Sequence, residues 1–461
     1  MRTTSIIALL VVASLVAGLT GFTLGQVAAP VVYKPGYSPP EKVRAAWIYI
    51  GPVGDAGWSY MHDVARRYVA ALFSDWLETT YIESVPEDQL IARIDELVAQ
   101  GYNVIFTTSF EYMDKTIEAA RKYPNVMFFH CSGYKRAPNV GTYFADLYQV
   151  YYLNGLIAGA LTRTGRIGYI AAFLIPEVVR HINAFAIGAR EVGEQLGKNI
   201  TVHVIEIGAW YSPDKARQAA ETLRTVFNVD VLAFTEDSTA IVEYAEANNI
   251  YVFSHYGPML KYGPNYVVSG QLVRWEVIYA DILLKVKAGI YRPDNLDKVD
   301  YWYLLNTGAV ELGADVAENG SIIAVNPRYI NLLRSIEVRD KLTGEKLSVY
   351  DLVLKRYWEM KGAYATLPFQ GVSIAHVYEN VTSISLNWGG RIGVKPYLIA
   401  PVFDPFTGPF EAYCIFPPDA AVSSYCKGRA AGTVVSFPSG YRASHQDLWT
   451  MDYFLPWVIK H

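Results

Sequence analysis

The feature that most narrows the fold of this chain is a rhythm. From Val43 to Ser254, short apolar runs of strand length alternate with longer stretches in which apolar residues recur at helical spacing. Strands are predicted over 43–50, 79–85, 103–108 and 126–130, and helices over 58–73, 87–100, 111–122 and 146–162. The first of these helices puts Met61, Val64, Ala65, Tyr68 and Leu72 on one face. A second block opens at Arg166, with strands over 167–172, 202–207, 231–235 and 251–254 and helices over 177–195, 213–227 and 241–248. Such alternation requires parallel strands joined by crossovers, with helices on both faces of each sheet. The class is therefore α/β, and two blocks of similar size predict two lobes with a cleft between them.

A strand over 266–272 and a helix over 273–288 read as a return to the first lobe, which makes each lobe discontinuous. The expected division is 43–165 with 270–310 for the N-terminal lobe and 166–269 with 311–337 for the C-terminal lobe. One more helix is expected over 329–336. Residues 338–461 are rich in turns and aromatics without βα rhythm, and read as an appended region packing on the lobes.

The amino terminus speaks of compartment. Arg2 precedes an uncharged stretch to Tyr33 whose apolar core runs from Ile6 to Leu19, at the border between a signal-peptide core and a membrane span. Residues 1–30 are expected to be a signal anchor, or a leader if cleaved, and 31–42 a short stalk. The expected location is the cell surface. Sequons at Asn199, Asn319 and Asn380 are compatible with it. Of three cysteines, Cys131 ends an apolar run, while Cys414 and Cys426 either pair as a disulfide or remain two thiols.

Composition excludes some functions. With 40 Lys+Arg against 44 Asp+Glu, a net charge of -4 carries no basic excess for nucleic acid. No GxSxG, HExxH, GxGxxG or phosphate-binding lysine loop occurs, and no two of the eight histidines stand at i, i+4. Neither an enzyme, a metal site nor a cofactor is expected.

In open parallel sheets, ligands bind beyond the carboxyl ends of the strands. The candidates there are Asp55, Trp58, Thr107, Thr108, Ser109, Phe110, Phe173, Trp210, Asp237, His255 and Tyr256. Aromatic faces, hydroxyls and single carboxylates suit an uncharged ligand with a flat apolar part and several hydroxyls. Each has a second reading. Asp55, between Gly54 and Gly57-Trp58, either touches the ligand or caps the helix that follows. Asp237 before Ser238 poses the same choice. Phe110 and Trp210 serve equally as core aromatics, and His255 as a buried structural imidazole.

Several motifs in register resemble the basic membrane protein family of extracytoplasmic solute-binding proteins, which includes bacterial purine nucleoside receptors. They are Asp55-Ala56-Gly57-Trp58, Thr107-Thr108-Ser109-Phe110, Tyr143-Phe144, Gly155 with Gly159, Ala172-Phe173, and Asn183 through Gly188. Later echoes are Pro405 through Pro409 and Leu448 through Tyr453. The resemblance implies a type I periplasmic-binding-protein fold that closes on its solute and hands it to an ABC permease in the membrane. It implies a purine nucleoside or similar solute, with Asp55 in the first loop, Phe110, Phe173 and Trp210 stacking on the base, and Asp237 near the sugar. The sequence departs from the pattern at Ser254-His255-Tyr256-Gly257, where the family carries an acidic loop, and it lacks the lipoprotein cysteine. A structural or sensory surface protein on the same fold is the alternative.

Overall fold

A computed structural model describes residues 37–361 and 403–461. The first sheet contains β1 (Val43–Ile48), β2 (Leu77–Ile82), β3 (Val104–Thr107), β4 (Met127–Cys131) and β5 (Val140–Ala145). The second contains β6 (Arg166–Ala171), β7 (Thr201–Glu206), β8 (Val231–Thr235), β9 (Tyr251–Ser254) and β10 (Val267–Val273). The chain then returns to the first sheet as β11 (Asp300–Tyr303) and crosses back as β12 (Val310–Leu312). The strand orders are β11-β5-β4-β3-β1-β2 and β12-β10-β9-β8-β6-β7, and the strand Val458–Lys460 lies against β7. All pairings are parallel except β12 on β10. The central strands β3 (VIFT) and β8 (VLAFT) are buried at every position, as strands covered on both faces must be.

Two helices fasten the lobes together. The helix Tyr148–Leu161 leads from β5 into the second lobe and is buried at all 14 residues. It lies so close to the helix Pro176–Gln195 that a Cβ on Gly155, Gly159 or Gly188 would stand 2.1 Å from a backbone oxygen of the other helix. The helix Trp275–Lys287 packs back on the first lobe. Its Trp275 stacks on His62 at 4.4 Å, and the Tyr279 hydroxyl lies 2.5 Å from His62 Nδ1.

Three features differ from the sequence expectation. β5 and β11 pair with each other and are absent from the predicted strands. Gly141 and Thr142 dilute the apolar signal of β5, and a Cβ on Gly141 would fit tightly, 3.0 Å from the Val299 side chain. β10 runs to Val273, past the expected boundary at 270. The stretch 338–461 does more than pack on the lobes, since Val458–Lys460 extends the second sheet, pairing Val458 with Val202.

Within that stretch Cys414 and Cys426 are joined by a disulfide. Phe410–Cys414 pairs with Val434–Phe437 and with Tyr453–Phe454 in a small antiparallel sheet. Asn183 seats it on the second lobe, its amide donating to the Tyr453 carbonyl at 2.7 Å and its oxygen accepting from the Leu455 N–H. Trp449 reaches the first lobe, packing near Phe144 and Trp302. The expected signal anchor 1–30 and residues 31–36 of the expected stalk lie outside the described residues. Among the described residues no helix is long and apolar enough to cross a membrane.

Candidate ligand-binding site

Loops from the carboxyl ends of β1, β3 and β4 meet those that follow β6, β7, β8 and β9. Between them lies a narrow chamber with about 20 Å³ of free interior in this arrangement of the lobes. The first lobe contributes Ile50, Trp58, Ser109, Phe110 and Ser132, and the second Glu177, Trp210, Asp237 and Tyr256.

Contacts across the cleft fix the chamber walls. The Trp58 backbone N–H donates to Asp237 Oδ1 at 3.2 Å. Gly57 allows that approach, because a Cβ there would stand 3.0 Å from the same oxygen. Gly257 is required for the same reason: its Cβ would stand 2.4 Å from the Ala56 carbonyl oxygen. Glu177 ties both lobes together, accepting from the Tyr256 hydroxyl at 2.9 Å on one oxygen and from the Ser132 hydroxyl at 2.6 Å on the other. The Trp58 indole N–H donates to the Thr108 carbonyl at 2.5 Å, and its ring meets Tyr256 edge-on at 5.0 Å. The Asp237 N–H donates to the Trp210 carbonyl, so the loops that carry these two wall residues hold each other.

The electrostatics are one-signed. No Lys, Arg or His lines the chamber. Burial pushes the Asp237 carboxyl well above the ordinary carboxylate range, and the nearby charges of Asp55 and Glu236 push it further. Burial also raises Glu236, which accepts from the Ser212 N–H and the Ser238 hydroxyl. Such a site offers acceptors and flat apolar faces, which is what a planar ring carrying N–H or O–H donors requires. Among the described residues no group of three or more His, Cys, Asp or Glu is arranged to hold a metal ion.

The residues singled out in the sequence divide. Trp58, Ser109, Phe110, Trp210, Asp237 and Tyr256 line the chamber. Phe173 lies outside it, in a more open space of about 390 Å³ that shares Ile50, Trp210 and Asp237 with the chamber, and packs against Trp210 at 5.1 Å. Three more turn their polar atoms onto the protein in this structure. Asp55 spends its carboxylate on the start of the helix Trp58–Leu72: Oδ1 accepts from the Gly57 and Tyr60 N–H groups at 2.8 and 2.9 Å, and Oδ2 from the Ser59 N–H at 2.9 Å. It is a helix cap, because a helix start presents several unpaired donors to one carboxylate. Thr108 turns its hydroxyl to the Ile48 carbonyl at 2.9 Å, since it stands within the strand-end ladder rather than beyond it.

His255 points into the second lobe, where its Nδ1 lies 2.6 Å from the Tyr151 hydroxyl. That hydroxyl already donates to the Phe234 carbonyl, so Nδ1 must carry the proton. Burial holds this imidazole well below its ordinary pKa, hence neutral. Its neighbour Tyr256, at φ 58°, takes the place in the wall instead.

Sequence reasoning missed Glu177 and Ser132. Both carry the same signal as the residues it found. Ser132 directly follows β4, and Glu177 stands one residue past Pro176, in the segment after the carboxyl end of β6.

Comparison with known proteins places this geometry among binding proteins. A family model described as Bmp, ABC transporter substrate-binding protein PnrA-like, matches residues 42–327. A purine-binding protein of Brucella abortus (strain 2308) is 35% identical over 298 residues, which are 64% of this chain and 80% of that one. A Haloferax volcanii protein named as a putative ABC transporter glucose-binding protein is 40% identical over 276 residues, 59% of this chain and 67% of that one. Among solved structures, an ABC transporter solute-binding protein from Aeropyrum pernix K1 superposes with a TM-score of 0.52 at 17% identity, covering 75% of this chain and 86% of that one. The fold is that of type I periplasmic binding proteins, two parallel-sheet lobes about a cleft.

Proposed function

The chain belongs to the Bmp family of PnrA-like ABC transporter substrate-binding proteins, and from that premise we propose that it captures a purine base or nucleoside between its lobes outside the cell and delivers it to a membrane permease. The observation that carries the reading is the chamber itself. Trp58, Phe110, Trp210 and Tyr256 offer ring faces and edges, while Asp237 and Glu177 supply acceptors with no cation beside them. A purine has one flat aromatic body to stack and N–H donors at its rim. A phosphate or carboxylate solute would meet two acids and no cation. The purine-binding relative supports the choice of solute. The Cys414–Cys426 disulfide supports an oxidising, extracytoplasmic compartment. Binding without turnover is proposed, since the family is one of substrate-binding proteins.

A second reading is a hexose. It is favoured by the name of the Haloferax relative and by the pairing of tryptophan faces with carboxylates, which also suits a pyranose.

A thermal-shift screen of the protein against purines, nucleosides, hexoses and amino acids tests both. A solute at about 100 times its dissociation constant adds about 2.7 kcal/mol of stability. Shifts with purines or their nucleosides support the proposal, shifts confined to hexoses favour the second reading, and silence across the panel overturns both.

A further inference from the structure

Residues 403–461 lie beyond the stretch 42–327 that the family model matches, and they hold on to both lobes. Their grip on the second lobe is made by backbone. Val458–Lys460 pairs with β7, and the Asn183 side chain bonds the Tyr453 carbonyl and the Leu455 N–H. Their grip on the first lobe is made by rings. Trp449 stands 5.8 Å from Phe144 in β5 and 5.5 Å from Trp302 in β11, and His445 lies 3.7 Å from the same Trp302. Phe144 and Trp302 pair in the first sheet, and the chain leaves that lobe shortly after each of them. The ring seat therefore sits at two of the crossings between the lobes.

A buried ion pair joins the seat to the crossing. Arg180, on the helix Pro176–Gln195, donates from Nε to Asp146 Oδ2 at 2.7 Å and from Nη1 to the Leu448 carbonyl at 3.3 Å. Asp146 directly follows β5, so one guanidinium holds the second lobe, the crossing and the tail together. Both side chains of the pair are fully buried, and the Trp449 and Phe144 rings lie 5.2 and 5.5 Å from the guanidinium carbon. A second tie is the Tyr148 hydroxyl, which donates to Asp404 Oδ2 at 2.6 Å from the first residue of the crossing helix.

We propose that residues 403–461 are a hinge strap that holds the lobes near the arrangement in which Trp58 and Ser132 reach Asp237 and Glu177. Because a strand fixes the strap to the second lobe, rotation of the first lobe must slide Phe144 and Trp302 across Trp449. It must also strain the bond between Asp146 and Arg180. Close-packed contacts yield to such sliding in discrete steps, and a buried charge parts from its partner at high cost. The strap thus populates the binding-competent arrangement before solute arrives, which lowers what the solute must supply to close the cleft. The inference does not depend on which solute the chamber takes.

Double electron–electron resonance on the full chain, without solute, tests the strap. Spin labels are placed by Asp88→Cys and Asp214→Cys, exposed positions beyond the carboxyl ends of β2 and β7. Cys131 is buried and Cys414 is paired with Cys426, so the introduced thiols take the label. The expected result is one narrow separation in the otherwise wild-type chain. Trp449→Ala should broaden it toward longer distances, and Trp449→Phe, which keeps a ring in the seat, should stay close to wild type. A broad distribution in the wild-type background would overturn the strap, as would an unchanged narrow one in a Trp449→Ala chain whose circular dichroism shows it folded. Should that chain fail to fold, His445→Ala decides: the residue is exposed, and its loss should still broaden the distribution, whereas an unchanged one overturns the proposal.

Discussion

Replacing Asp55 by alanine separates a cap from a ligand contact. Its carboxylate is 2% exposed and accepts from three backbone N–H groups at the start of the helix Trp58–Leu72. Losing a single-bond cap costs about 0.5–2 kcal/mol, and the three charge-assisted bonds here place Asp55 at or above the upper end. An offset comes from Asp237, which no longer faces the Asp55 charge. The expected net loss is about 2 kcal/mol. Asp55→Asn keeps one side-chain oxygen and should lose about half as much. Urea unfolding followed by tryptophan fluorescence measures the change, and calorimetry with the solute found in the screen measures affinity on the same samples. The argument requires a clear loss of stability with affinity changed by less than about threefold, because neither oxygen faces the chamber. Undiminished stability together with an affinity loss of 1.5–3 kcal/mol, the size of a charge-assisted bond, would refute it and return Asp55 to the solute.

Three further outcomes follow from the geometry. Trp210→Ala removes a wall of the chamber and should weaken binding of a base by about 1–3 kcal/mol, the range for base–aromatic stacking, as read by titration calorimetry; an unchanged affinity would take Trp210 out of the site. Asp237 has a folded pKa above its unfolded one, so its contribution to stability is complete below the unfolded value of about 3.9 and is lost as pH rises through the folded value. Melting temperature against pH should therefore decline less steeply in Asp237→Asn than in wild type, and parallel curves would contradict the assignment. Ser132→Ala breaks a hydrogen bond that exists only when the lobes meet, and should speed solute dissociation in stopped-flow fluorescence by about 0.5–1.5 kcal/mol with the association rate unchanged. An equal effect on both rates would mean the bond does not report closure.

The sequence announced the two-lobed plan because buried parallel strands write themselves as apolar runs, and the carboxyl ends of those runs contain every wall residue or stop just short of one. What it could not show is the direction of each side chain. Asp55 and Asp237 look alike on paper, an acid after a strand and before a helix. One turns onto three helix N–H groups, and the other lies across the cleft within reach of the opposite lobe. His255 and Tyr256 are neighbours at one strand end with ring centroids 3.6 Å apart, yet His255 turns Nδ1 to the Tyr151 hydroxyl while Tyr256, at positive φ, lines the chamber. β5 and β11 escaped notice because a six-residue strand with Gly141 and Thr142, paired to a four-residue strand far along the chain, leaves no local periodicity to read.

The wall is also made of two halves, and in the proposed reading that division would give closure its chemical selectivity. Ser132 and Trp58 belong to one lobe, Glu177 and Asp237 to the other, and the hydrogen bonds between them form only when the lobes meet. The same movement carries Asp55 toward Asp237 and Glu236, whose charges raise the Asp237 carboxyl. Closing the clamp would thus concentrate acidic groups in a space of low dielectric, where an unanswered polar group is most costly. A solute that brings N–H or O–H donors offsets that cost and favours the closed state. An anion of the same shape adds to the cost and favours the open one. Discrimination then needs no separate filter, because the free energy of closure already depends on what the solute donates.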